Sequence, residues 1–129
     1  MHDLTAIELK AHLPALDFDK SKSFYQDLGF TLCWSNDHMA YLHLGPHGDH
    51  TKAGFLLQNA YVKEFAENLQ MHLLVQDVDA WWKHVDSTQL CDKYGVAPAE
   101  PPEDRPWKMR DFVLFDPAGV VWRIAQGLP

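Results

Sequence analysis

The chain is poor in cysteine, poor in positive charge and free of long apolar runs, and each shortage removes a class of function. Cys33 and Cys91 are its only cysteines, too few for a disulfide framework or a thiolate metal site. Both read as small buried apolar side chains, Cys33 on a strand and Cys91 on a helix. Eleven Lys and Arg against 18 Asp and Glu give a formal charge of −7. Nucleic acid is therefore a poor partner, because its binding rests on cations that neutralise phosphates. The same field favours a cationic guest. No run of about 18 apolar residues is present to span a bilayer. Met1-His2-Asp3-Leu4 lacks the basic and then apolar opening of a signal peptide. No membrane partner and a cytoplasmic location are the expectations. A Gly-x-Ser-x-Gly elbow is also missing, so a serine–histidine–aspartate triad has no support.

What is present is a repeated phrase. Residues 12–19 read His-Leu-Pro-Ala-Leu-Asp-Phe-Asp and residues 72–79 read His-Leu-Leu-Val-Gln-Asp-Val-Asp. Four identities in eight residues carry little weight alone. Their force comes from the helix-like, aromatic-rich stretch after each copy: Phe24-Tyr25 in the first and Trp81-Trp82 in the second. Repetition over half a chain marks two copies of one supersecondary unit. With 129 residues and 47% apolar content, both copies fit one domain with a shared core. The domain spans 1–129, with module 1 over about 5–60 and module 2 over about 69–127.

Leu9 to Leu16 reads as a strand. Asp17 or Asp19 can cap a helix over 20–28, and Gly29 ends it where a left-handed residue is needed. Phe30–Trp34, Met39–Leu44 and Gly54–Asn59 read as strands, with the turn-rich Gly45-Pro46-His47-Gly48-Asp49-His50 between the last two. Tyr61–Asn68 is a polar connector with a short helical turn. In the second copy, Met71–Val75 is a strand, and a helix capped by Asp77 or Asp79 runs to Tyr94 and stops at Gly95. Val96–Pro106, with Pro98, Pro101, Pro102 and Pro106 beside three acidic residues, should be an exposed loop carrying one short strand. Arg110–Phe115 and Val120–Ala125 form a hairpin across Asp116-Pro117-Ala118-Gly119. The fold class is α+β, two paired βαβββ modules.

The stretch from Asp17 to Phe30 resembles the opening helix of the glyoxalase/bleomycin resistance/dioxygenase (vicinal oxygen chelate) superfamily, and Asp116-Pro117-Ala118-Gly119 resembles its closing hairpin. Leu13-Pro14-Ala15-Leu16-Asp17-Phe18-Asp19 and the run from Pro106 to Gly119 are similar to its bleomycin-resistance branch. The resemblance implies modules that form incomplete barrels, a homodimer, and ligand clefts between modules. The fold hosts several chemistries, so it does not by itself choose among them.

Enzymes of the superfamily hold a divalent metal with His and Glu on inward-facing strand positions. Counted from the landmarks, those positions hold Lys10, seven residues before Asp17, and Gln70, seven before Asp77. Arg123 stands seven after Asp116, where Glu would be expected, and a fourth position falls near Leu57 or Gln58. Lys and Arg offer no lone pair and repel a divalent ion, so the usual metal site is missing and no cofactor is expected. His12 and His72 lie two residues further on and share the parity of Lys10 and Gln70. They are the alternative metal ligands, for Zn, Ni, Mn or Fe, though His43 and Gln58 are the only third donors nearby. The run His38, His43, His47, His50 is also a weak metal candidate.

The resemblance then implies a binder of the antibiotic-sequestering type, with a small, cationic and aromatic guest. Trp107 matches the tryptophan of the branch's Pro-Trp segment and comes after an acidic loop with Glu100, Glu103 and Asp104, an arrangement suited to a stacking lid. Met39 and His72 stand where the family often places aromatics. Lys10 and Arg123 in the cleft point instead to a guest with a carboxylate or phosphate, or to ion pairs with Asp17 or Asp111. The candidate ligand-binding residues are thus Lys10, His12, Met39, Gln70, His72, Trp107, Asp111 and Arg123. The rival readings are a glyoxalase-type lyase or dioxygenase with a relocated metal on His12 and His72, and a metabolite carrier or accessory subunit.

Overall fold

The computed structural model describes residues 2–45 and 53–129; His47 and His50 lie outside them. In chain order the first module holds β1 (Ala11–Pro14), α1 (Phe18–Leu28), β2 (Thr31–Ser35), β3 (Met39–Leu44) and β4 (Ala53–Gln58). A short helix α2 (Lys63–Ala66) leads to the second module. That module holds β5 (Gln70–Leu74), α3 (Val78–Ser87), α4 (Leu90–Tyr94), β6 (Glu103–Asp104), β7 (Met109–Phe115) and β8 (Val121–Gly127). The two sheets have matching orders, β1-β4-β3-β2 and β5-β8-β7-β6, each with its first strand parallel to its last. Two βαβββ modules are therefore present as expected.

The repeated phrase has the same task in both. Asp17 Oδ1 accepts the Lys20 N–H at 3.1 Å and Asp77 Oδ1 accepts the Ala80 N–H at 3.0 Å, so each phrase ends by capping its module's long helix. Gly29, at φ 132°, closes α1 with its N–H on the Tyr25 and Gln26 carbonyls. In the second module the expected single helix to Tyr94 is instead two. Thr88 Oγ1 donates to the His84 carbonyl at 2.7 Å, and Gln89 adopts a left-handed φ of 52°. A hydroxyl that competes for a backbone carbonyl, with a left-handed residue next to it, ends a helix. The first strand is also shorter than expected, covering only Ala11–Pro14, and Pro102 in the proline-rich loop is buried rather than exposed.

Strand register assigns the faces. Leu13, Ala40, Leu42, Phe55 and Leu57 share the buried face of the first sheet that packs on α1. Leu114, Trp122 and Ile124 do the same in the second. The modules meet through rings: Trp122 of β8 lies 5.6 Å from Tyr25, 5.7 Å from Phe30 and 5.5 Å from Phe55. Tyr25 donates a hydrogen bond to Asp116, and Trp122 Nε1 donates to the Tyr25 hydroxyl at 2.9 Å.

A second tie joins the helices. Asp27, at the end of α1, receives Lys93 Nζ at 2.7 Å and the Tyr94 hydroxyl from α4. These two bonds, Lys93 first, hold the Asp27 carboxyl below its ordinary value, while burial and Asp27 push the Tyr94 phenol up to about 12. A depressed carboxylate stabilises the fold above its unfolded pKa, and that contribution disappears as the pH falls through the folded value. Asp27→Asn is therefore expected to melt below wild type at pH 7, with the gap closing as the pH drops through the acidic carboxylate range. Melting curves that stay equally far apart at every pH would count against this tie.

Candidate functional site

The far faces of the sheets, opposite the helices, carry the candidates. Register places His12 beside Leu56 and Tyr41, and Met39 beside Gln58, on the first sheet. On the second sheet it places His72 beside Arg123, Arg123 beside Val113, and Asp111 beside Ala125. Gln70 opens the same row of β5. The parity expected for His12, His72, Gln70 and Arg123 therefore holds. Trp107 stands apart, at the tip of the β6–β7 turn and 63% exposed. There Lys108 takes a left-handed φ of 63° and donates to the Arg105 carbonyl at 3.1 Å.

Both cations expected in the cleft, Lys10 and Arg123, are engaged in ion pairs. Lys10 Nζ pairs with Glu8 at 3.4 Å, not with Asp17, and lies 5.1 Å from the centre of the Tyr41 ring. The Tyr41 hydroxyl donates to Glu8 Oε2 at 2.8 Å, and burial together with this carboxylate raises the phenol well above its ordinary value. Burial and Glu8 also raise the half-buried Cys33 thiol, which is thus held in its neutral form. Arg123 Nη1 donates to Asp111 Oδ1 at 3.0 Å, and Arg105 Nε donates to the same oxygen at 2.9 Å. Asp111 is fully buried, and its Oδ2 has no hydrogen-bond partner among the described residues. Glu8 and Arg105 are not singled out by the sequence. Glu8 lies before β1, where no strand period announces which way it points, and the reach of Arg105 depends on the β6–β7 turn.

The acidic loop is less negative than its sequence implies. Arg105 pairs with Glu103 at 3.1 Å, and Arg110 joins Asp104 at 3.0 Å and Asp79 at 2.9 Å. Of its three carboxylates, two are answered by arginine.

A cleft of about 920 Å³ lies between the modules. Its walls include Ile7 and Leu9 of the N-terminal arm, Phe55 of β4, Met71 and His72 of β5, and Trp122 of β8. Of the eight candidates only His72 lines it; the others lie on the sheet faces or, for Trp107, on the turn. The family's metal fits these residues poorly. Among the described residues no three His, Cys, Asp or Glu side chains gather to hold an ion. His12 and His72 are both exposed and lie on different sheets. Leu57, near the fourth ligand position, is sealed in the core. No helix among the described residues is long and apolar enough to cross a membrane.

Comparison with known proteins agrees with this geometry. No curated protein matches the sequence. Among solved structures the chain is similar to TnmS3, an antibiotic binding protein from Streptomyces sp. CB03234, at 26% identity; the match covers 98% of this chain and 99% of that one, with a TM-score of 0.70. It is similar at 20% identity to the bleomycin-binding protein of Streptomyces verticillus complexed with copper(II)-bleomycin, covering 97% and 99% with a TM-score of 0.73. A lactoylglutathione lyase from Agrobacterium tumefaciens shares 16% identity over 97% and 96%, with a TM-score of 0.69. Binders and an enzyme thus stand on one fold. Residues 9–124 match the superfamily as a whole, and with the paired βαβββ modules in place, the chain belongs to the Glyoxalase/Bleomycin resistance protein/Dioxygenase superfamily.

Proposed function

We propose that this protein binds a small, partly aromatic molecule in the cleft between its modules and does so without a metal. The observation that carries the reading is the character of the positions where family enzymes would hold their ion. Lys10 is bound to Glu8 and Arg123 to Asp111, so two ligand positions hold cations already paired with carboxylates. A divalent ion there would have to displace both pairs and would gain no lone pair from either cation. The cleft itself has the size and the mainly apolar lining of a site for a drug-sized guest. Antibiotic-binding neighbours on the same fold support sequestration as the purpose. Trp107, exposed at its turn, is the candidate stacking lid. The exposed Leu4, Ile7 and Leu9 of the arm support association into a homodimer, and a purely monomeric sedimentation profile would remove that part.

Protein purified without a histidine tag is expected to carry far less than one equivalent of Zn, Ni, Mn or Fe. Near-stoichiometric metal that is lost in His12→Ala would overturn the metal-free reading. In calorimetry with metal-free bleomycin, Trp107→Ala should weaken any binding by roughly tenfold, the worth of one good stacking contact. Absence of heat at high concentration would exclude bleomycin as the guest.

A further inference from the structure

Resting on the reading that the cleft binds a small molecule, we infer that Arg123 anchors an oxyanion of that molecule, a carboxylate or phosphate monoester on an apolar body. Arg123 sits mid-sheet on the far face, half-buried, with His72 beside it on β5 and Val113 beside it on β7. His72 also lines the inter-module cleft, and neighbouring strands lie only about 4.8 Å apart. The guanidinium is thus one side chain away from the space where the body of a guest would lie.

Its orientation is held from behind. Asp111 Oδ1 takes one hydrogen bond from Arg123 and one from Arg105, so two guanidiniums share one carboxylate, which alone does not neutralise both. Glu103 offsets this only at Arg105, and from a position open to solvent. A guanidinium has five donors. The Nη1 bond to Asp111 is the only one Arg123 makes among the described residues, which leaves its remaining edge for a two-oxygen acceptor. Asp111 Oδ2 is buried and unpartnered, a cost expected where a side chain is kept for what it positions rather than for its own bonds. Leu74 and Phe115 lie on this same face with large exposed apolar surfaces, ready to be covered by the apolar part of such a guest. The chain's net charge of −7 opposes an acid at long range. The contact must therefore act locally, where salt screens it least.

A matched set of probes tests this: 2-naphthoate, 2-naphthyl phosphate and the neutral 2-naphthamide, titrated by calorimetry. At least one anion should bind roughly tenfold or more tighter than the amide; which anion is tighter assigns the oxyanion. Arg123→Gln should bring the anions to the level of the amide and leave the amide unchanged, with circular dichroism checking the fold. Arg123→Lys, which keeps the charge and loses the planar fork, should fall between. Asp111→Ala, which removes the acceptor that orients Arg123, should weaken the anions alone. If the amide binds as tightly as both anions, the inference fails and the binding reading stands. If none of the three binds at millimolar concentration, both fail.

Discussion

Asp116→Ala is expected to destabilise the protein by about 3–5 kcal/mol, the sum of several buried donors left without an acceptor. Asp116 is 2% exposed and accepts three hydrogen bonds: the Ala118 N–H at 2.8 Å, the Val120 N–H at 2.9 Å, and the Tyr25 hydroxyl. The two backbone bonds shape the β7–β8 turn, while the Tyr25 bond ties that turn to α1 in the other module. Tyr25→Phe should cost less, about 2–3 kcal/mol, because it strands one carboxylate oxygen and Trp122 Nε1 but spares the turn. Burial raises both groups: the Asp116 carboxyl rises above its ordinary value despite its bonds, and Tyr25 rises well above its own, through burial and then the charge of Asp116. A carboxyl with a raised folded pKa contributes most below its unfolded pKa, and that contribution is lost as the pH rises through the folded value. Asp116 and Asp27 therefore have opposite pH slopes. Urea unfolding of the variants at neutral pH measures the loss directly. A cost below about 1 kcal/mol for Asp116→Ala, the scale of one ordinary hydrogen bond, would show that the network is ornamental to stability.

This network was not legible in the sequence. Asp116-Pro117-Ala118-Gly119 announces a turn, and a turn aspartate is ordinarily read as a local cap. Nothing local points to Tyr25, 91 residues away. The repeated phrase, by contrast, was readable because its information is local: an aspartate before a helix, an alternation along a strand, a glycine after the last turn. Those features placed the modules, narrowed each helix cap to a pair of aspartates from which the structure takes Asp17 and Asp77, and gave the shared face of His72, Gln70 and Arg123. The break at Thr88-Gln89 was missed because a threonine inside an amphipathic pattern does not declare which carbonyl its hydroxyl will take. The ion pairs were half-readable. Asp111 was a stated partner for Arg123, and the structure supplies it. Lys10 went to Glu8 rather than Asp17, and Asp17 serves as the cap of α1 instead. Residues that bind across modules depend on packing that no short window contains.

The same logic makes Phe55→Ala the sharpest test of whether the two modules are one cooperative unit. Phe55 of β4 is 1% exposed, with its ring centre 4.7 Å from Tyr25, 5.2 Å from Phe30 and 5.5 Å from Trp122. Three of these rings come from the first module and Trp122 from the second, so the cluster is shared core. Truncating the ring removes its burial and leaves a void, and the expected cost is about 3–5 kcal/mol. Phe55 also lines the inter-module cleft. The new space therefore joins an existing opening, and water can enter it, which holds the cost toward the lower end. If both modules depend on this cluster, the variant should still unfold in one transition, with the tryptophan fluorescence and far-ultraviolet dichroism curves superimposed. Separated curves would mean that each module retains a core of its own once Phe55 is gone. The duplicated phrase would then mark two small domains in contact, and a cleft between them could open and close as a unit. Coincident curves at a lower midpoint would instead make the cleft a rigid feature of one domain, preformed for its guest by the aromatic cluster behind it.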